Sequence, residues 1–180
     1  MVLLELFNKP ADFEMSVRTA HHARYMFQID DLDYFADFNS MDGLWVFNFF
    51  QKQEGRDMIT RFTGGTPFLT GNVGVKSVAV FSTVVAILHD FEEKYHPRAL
   101  FIAADSSETG RAPLYRRLIR SLLPGGWQAY TTIITRNQDP LRQEREGYIL
   151  THGEPIDQAA RPLRRFGITP QQWRPFGEPR

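Results

Sequence analysis

From Tyr25 onward, apolar and polar positions alternate with a period of two. Tyr25-Met26-Phe27-Gln28-Ile29 is rich in strand formers. In the next run Leu32, Tyr34, Ala36 and Phe38 share one face, with Asp33 and Asp37 on the other. That alternation predicts a half-buried strand with its acids in water. Asp30-Asp31 and the stretch Asn39-Ser40-Met41-Asp42-Gly43 are turn sequences, and Asp42-Gly43 suits positive φ. Leu44–Phe50 is apolar on both faces apart from Asn48. Together these runs predict an antiparallel meander. Beyond a charged turn, Gln51–Asp57, the run Met58–Phe62 predicts a fourth strand. Pro10–His22 is mixed and polar and gives no assignment.

The period then changes. After Gly64-Gly65-Thr66-Pro67, the row Val78, Phe81, Val85, Leu88 recurs at helical spacing, with a second row of Val80, Val84, Ile87 and Phe91 beside it. A helix so broadly apolar predicts burial against a sheet. His96-Pro97 ends it, because proline disfavours helix in the residue before it. Ala99–Ala104 is a continuous apolar run, the pattern of a central strand, closed by Asp105. Ser106, Ser107 and Thr109 offer capping oxygens for a second helix. Its inward stripe is Leu114, Tyr115, Leu118, Ile119 and Leu122, and Arg111, Arg116, Arg117 and Arg120 decorate its outside. Pro124-Gly125-Gly126 ends it. Trp127–Thr135 reads as a strand, Asn137–Gly147 as a polar loop and Tyr148–Thr151 as a last strand. The expected class is α+β: an antiparallel meander, then β-α-β-α-β, with two main helices packed on a mixed sheet. Residues 1–152 are expected to form one domain. Residues 153–180, rich in Pro, Arg and Gln, are expected as an extended or partly helical appendage.

Composition narrows the chemistry. The chain has 180 residues, 42% hydrophobic, with 15 Phe, 6 Tyr and 3 Trp, enough apolar surface for a packed core. Basic and acidic residues number 21 each, so no global charge draws it to nucleic acid or an anionic membrane. There is no cysteine, which excludes disulfides, thiolate metal sites and cysteine nucleophiles. The start, Met1–Phe7, lacks a basic region and a long apolar stretch and is not expected to be a signal peptide. Val78–Leu88 is too short to span a bilayer. A cytoplasmic location is the default expectation.

The junction Gly71-Asn72-Val73-Gly74-Val75-Lys76-Ser77 opens the first helix. Unpaired N–H groups at the positive end of a helix dipole can hold a pyrophosphate. A tight connection whose glycines relieve strain is the commoner use of such spacing. Tyr115, one turn into the second helix, can protonate a leaving group, or can be a core tyrosine with its hydroxyl at an edge. His21-His22 point opposite ways on a strand, and no third ligand accompanies them, so no metal site is expected. The four arginines of the second helix suit phosphate or nucleic acid, but more often make a solvated helix face.

The order strand, Gly-turn, helix, strand, then a helix carrying Arg111-x-x-Leu114-Tyr115-x-x-Leu118, then strand, resembles the core of GNAT-type acetyltransferases. The upstream meander matches as well. The resemblance implies an acyl-CoA cofactor, acetyl-CoA or another, with its pyrophosphate at residues 71–77 and Tyr115 as general acid. The family signature is Arg or Gln, two residues, Gly, any residue, then Gly or Ala. Here Gly71 stands in the lead position and Lys76 in the final small one. The stretches Thr70-Gly71-Asn72, Val80-Phe81-Ser82-Thr83-Val84 and Ser106-x-Glu108-x-x-Arg111-x-x-Leu114-Tyr115-x-Arg117-Leu118 are also similar to small uncharacterised bacteriophage proteins. Two functions follow as expectations. One is a phage acyltransferase acting on an amine. The other is a non-catalytic phage protein on the same scaffold, a virion component or host-factor binder, docking through residues 161–180. Nucleic-acid binding through the arginine helix is a third and weaker reading.

Overall fold

The structure, a computed structural model, describes residues 9–51, 75–105, 111–136, 145–166, 168–170 and 172–177. Its elements are strands β1 (Phe13–Arg18), β2 (His22–Ile29), β3 (Leu32–Met41) and β4 (Leu44–Gln51), helix α1 (Val75–Tyr95), β5 (Ala99–Asp105), α2 (Arg111–Leu122), β6 (Gln128–Arg136) and β7 (Arg145–Thr151). A short helix α3 (Ile156–Ala159), a 3₁₀ segment Arg161–Phe166 and two small strands, β8 (Ile168–Pro170) and β9 (Arg174–Pro175), follow. This is the expected α+β class, in the expected order of meander, helix, strand, helix, strands. The chain divides into two compact units: residues 1–38 with 48–96, and 39–47 with 97–180.

In the first unit the strands follow one another in chain order, β1-β2-β3-β4. The turns explain why. Asp30 and Asp31 have φ of 48° and 63°, and Asp42 and Gly43 have 50° and 89°. Two consecutive positive-φ residues make the tight hairpin turn whose twist matches that of the strands, and Asp and Gly tolerate that conformation. Ala23, Tyr25 and Phe27 of β2 and Tyr34, Ala36 and Phe38 of β3 are buried on one face. Phe27, Tyr34 and Phe49 stack on one another there. Helix α1 covers this face by laying Phe91 on Phe38, rings parallel with centroids 3.8 Å apart. Its deepest row is the predicted Val80, Val84, Ile87 and Phe91. Buried Thr83 donates to the Ala79 carbonyl and accepts from the Ala11 amide at 2.8 Å, tying residue 11 to the helix. The helix stops at His96, whose amide bonds the Glu92 carbonyl while its own φ turns to +46°. The proline beyond disfavours the helical region for this residue, and it leaves by the left-handed one.

Three sequence expectations change here. The unassigned segment Pro10–His22 contains β1, paired antiparallel to β2 with a register shift between Met15 and Val17. Strand β3 runs through Met41, so the turn is Asp42-Gly43 alone. Asp37, expected on a wet face, is 7% exposed. Arg24 compensates its burial with two 2.6 Å bonds, Nε to Oδ1 and Nη2 to Oδ2. The Arg24 guanidinium also lies over the Phe35 ring. The expected strand Met58–Phe62 lies outside the described residues.

In the second unit β4 pairs in parallel with β5, from Leu44 with Ala99 to Phe47 with Ile102. The strand order continues β5-β7-β6-β8, with β7 antiparallel to both neighbours. Because β7 is bonded on both edges, it starts at Arg145. The expected loop Asn137–Gly147 therefore loses its last three residues to a strand, and 137–144 lie outside the described residues. The core on one face joins Leu44, Val46, Ala99, Phe101, Ile134 and Ile149 to Ala159, Ala160 and Leu163. Gly147 leaves room for that packing, since a Cβ there would meet Ile134 Cγ2 at 3.0 Å. Residues 156–163, expected in an appendage, are thus part of the core. Strands β8 and β9 both pair with β6. Pro and Arg between the apolar positions concealed this stripe in the sequence.

Candidate functional site

Of the expected cofactor turn, Gly71, Asn72, Val73 and Gly74 lie outside the described residues. Val75, Lys76 and Ser77 form the first described backbone turn of α1. The first N–H groups of a helix have no partner within it. No acidic residue stands in this turn. The dipole's positive end therefore lacks the acidic side chain that would offset it.

Strand β5 has one continuous edge and one that changes. Its ladder with β7 runs the whole strand, to Ala103 with Gly147, Ala104 with Glu146 and Asp105 with Arg145. Its parallel ladder with β4 ends at Phe47 and Ile102.

Tyr115 sits on the inner stripe of α2 and is 6% exposed. Leu118, Ile119 and Leu122 are buried beside it, and Arg116, Arg117 and Arg120 are on the exposed side. Arg116 is not merely solvated. Its Nη2 donates to Glu146 Oε1 at 2.6 Å, and the Tyr148 hydroxyl donates to Glu146 Oε2. Both oxygens of a buried carboxylate are thereby satisfied, as burial demands. Burial, then the hydrogen bond to Glu146, pushes the Tyr148 phenol up to about 12. Bonds to Tyr148 and Glu146 hold the Arg116 proton more firmly than usual. The Phe176 ring meets Tyr148 edge-on, and the Arg120 guanidinium lies over Phe176. This cluster fixes the helix that carries Tyr115 to strand β7. Sequence reading missed it because Glu146 fell in the supposed loop. The alternation of Glu146, Tyr148 and Leu150 was the available signal.

His22, half of the weighed histidine pair, lies with Nε2 3.6 Å from Asp37 Oδ1. Among the described residues no group of three His, Asp or Glu is placed to hold a metal ion. Among them, too, no helix is long and apolar enough to cross a membrane.

No family model and no curated protein matches the chain. Among solved structures it is similar to one described as RimL, a ribosomal L7/L12 alpha-N-protein acetyltransferase in complex with coenzyme A. Identity is 9% and the TM-score 0.41, over 72% of this chain and 61% of that one. The chain thus spans less than two thirds of that structure's length. A likeness of this size carries no argument, and the functional reading rests on the chain's own elements.

Proposed function

We propose that the protein is an acetyltransferase-like phage protein that binds an acyl-CoA and transfers its acyl group to an amine. The observation behind the reading is the crossover from β4 to β5. These parallel neighbours are joined by a connection that carries Gly71 and Gly74 in its sequence and ends in α1. A helix opened by a glycine-rich sequence is a suitable cradle for a pyrophosphate. In this reading N–H groups at residues 71–77 hold the pyrophosphate. The amine nitrogen attacks the thioester carbonyl, the C–S bond breaks, and Tyr115 gives its proton to the departing thiolate. The proton released by the amine passes to water or to a nearby carboxylate.

Calorimetric titration with acetyl-CoA tests the first step. Saturable binding at micromolar concentration, lost in Gly74→Trp, supports the reading. A folded sample giving no heat at millimolar CoA overturns it. With an acceptor in hand, Tyr115→Phe is expected to lower kcat by about 100-fold at nearly constant KM. The rival reading, a virion component or host-factor binder, would use residues 161–180. A partner would meet 161–166 and 172–177 as a folded surface rather than a loose arm, given the burial of Leu163 and the pairing of β9 with β6.

A further inference from the structure

The 3₁₀ segment Arg161–Phe166 has three residues per turn, so positions three apart share a stripe. Ala160 and Leu163 form the core stripe, at 7% and 0% exposure. The second stripe holds buried Pro162 and Arg165, whose Nη1 bonds Asp42 Oδ2. The third, Arg161 and Arg164, meets no core and forms no ion pair among the described residues. Both are exposed. Contacts made by the other stripes therefore place Arg161 and Arg164 next to each other on one exposed face.

They line a groove of about 570 Å³ with Asp157, Gln172 and Trp173. That volume lies in the range of small-molecule sites. The opposite wall is held in place. Thr132 Oγ1 donates to the Gln172 carbonyl at 3.1 Å, the Phe176 amide donates to the Ala129 carbonyl, and β9 pairs with β6 between them. Trp173 packs against the core while remaining half-exposed to the groove. The groove thus offers two forked cations, one aromatic ring and one carboxylate.

We infer that this groove binds a nucleotide unit. The phosphate sits between Arg161 and Arg164, whose planar forks match its oxygens. The base lies on the Trp173 ring, a contact that tolerates any base. Asp157 accepts from a ribose hydroxyl. One arginine stripe with one ring selects a ligand that has both an anion and a planar face. The inference stands on residues remote in sequence from the 71–77 turn and does not depend on the acyl-CoA reading.

The test is calorimetry on the full chain at low salt, with AMP, UMP, inorganic phosphate and a short oligouridylate as probes. AMP and UMP are expected to saturate at sub-millimolar concentration, and Arg161→Ala/Arg164→Ala to weaken them about 10-fold or more. Both arginines are exposed, so this variant is expected to melt like the parent. Trp173→Leu is expected to weaken the nucleotides several-fold and leave phosphate unchanged. Gly74→Trp should change none of these values. Tighter binding of the oligouridylate than of UMP would make the natural ligand a strand, and equal affinity would make it a free nucleotide. The inference is overturned if no probe saturates at millimolar concentration, or if the double arginine variant binds as the parent does. Equal affinity for phosphate and AMP would overturn it as well.

Discussion

Each unit fastens its main helix with the same three groups, a tyrosine, a carboxylate and a cation, yet places them differently. In the first unit the acid is on the helix. Asp90 Oδ2 accepts from the Tyr25 hydroxyl of β2 at 2.8 Å and from Lys94, one turn on, at 2.7 Å. In the second the acid is on the strand. Glu146 of β7 accepts from Arg116 of α2 on one oxygen and from Tyr148, its neighbour in β7, on the other. The Asp90 side chain is 25% exposed and that of Glu146 10%. Water can therefore replace what Asp90 loses, whereas Glu146 and its donor depend on each other. The same chemistry should be an accessory in one unit and a requirement in the other.

The largest test of that difference removes the acids. Glu146→Ala leaves the Tyr148 hydroxyl, in a residue 1% exposed, with no acceptor on Glu146. We expect a loss of about 3 kcal/mol, read from a denaturant or thermal melt. Asp90→Ala is expected to cost less, about 2 kcal/mol: Lys94 turns to water, while the hydroxyl of buried Tyr25 loses its acceptor on Asp90. Equal losses would break the comparison. Glu146→Gln keeps an acceptor for Tyr148 and should fall between the two.

Alkaline pH sharpens it next. Burial and the bond to Glu146 raise the Tyr148 phenol from 10 to about 12. Tyr25 is raised too, first by burial and then by its bond to Asp90. A raised phenol means that the folded chain holds its proton after the unfolded chain has released it. The contribution is complete below pH 10 and is lost as pH climbs from about 10 through 12 for Tyr148. Tyr148→Phe should flatten that part of the stability profile by about 2 kcal/mol. Tyr25→Phe should flatten it with the same sign. A stability that rises with pH in this window would refute both assignments.

These clusters also mark where sequence reading stops. The β2–β3 hairpin was legible because a period of two and an Asp-Asp turn are local facts. Alternation sends Asp37 to water, and only the folded chain brings the Arg24 guanidinium to it. Polar Asn39 and Ser40 read as turn, yet Met41 beyond them is in the core of the second unit. Glu146 read as loop because Arg145, Glu146 and Gly147 have little strand preference of their own. Two flanking ladders impose the strand on them, a tertiary effect that no local window contains. Tyr115 was assigned correctly to the inner stripe of its helix by periodicity. Residues 71–74 lie outside the described residues, which begin again with the helix that periodicity predicts.

The smallest effects concern the cations, and they divide the two arrangements most finely. Lys94 is exposed, bonds an Asp90 oxygen that already has Tyr25, and is an i,i+4 partner on the same helix. Such pairs contribute about 0.3–0.5 kcal/mol and are screened by salt. Lys94→Met should therefore shift a melt by little, and the shift should vanish at high salt. Arg116 is also half-exposed, but it serves an oxygen of Glu146, a carboxylate whose side chain is only 10% exposed. Arg116→Met removes a charged donor from a buried carboxylate, and about 1 kcal/mol should be lost. Most of that loss should persist in salt, since added ions cannot enter to replace a missing donor. If Lys94 and Arg116 responded alike in size and in salt dependence, Glu146 would be as well hydrated as Asp90. The contrast between the two units would then reduce to one of geometry without energetic consequence.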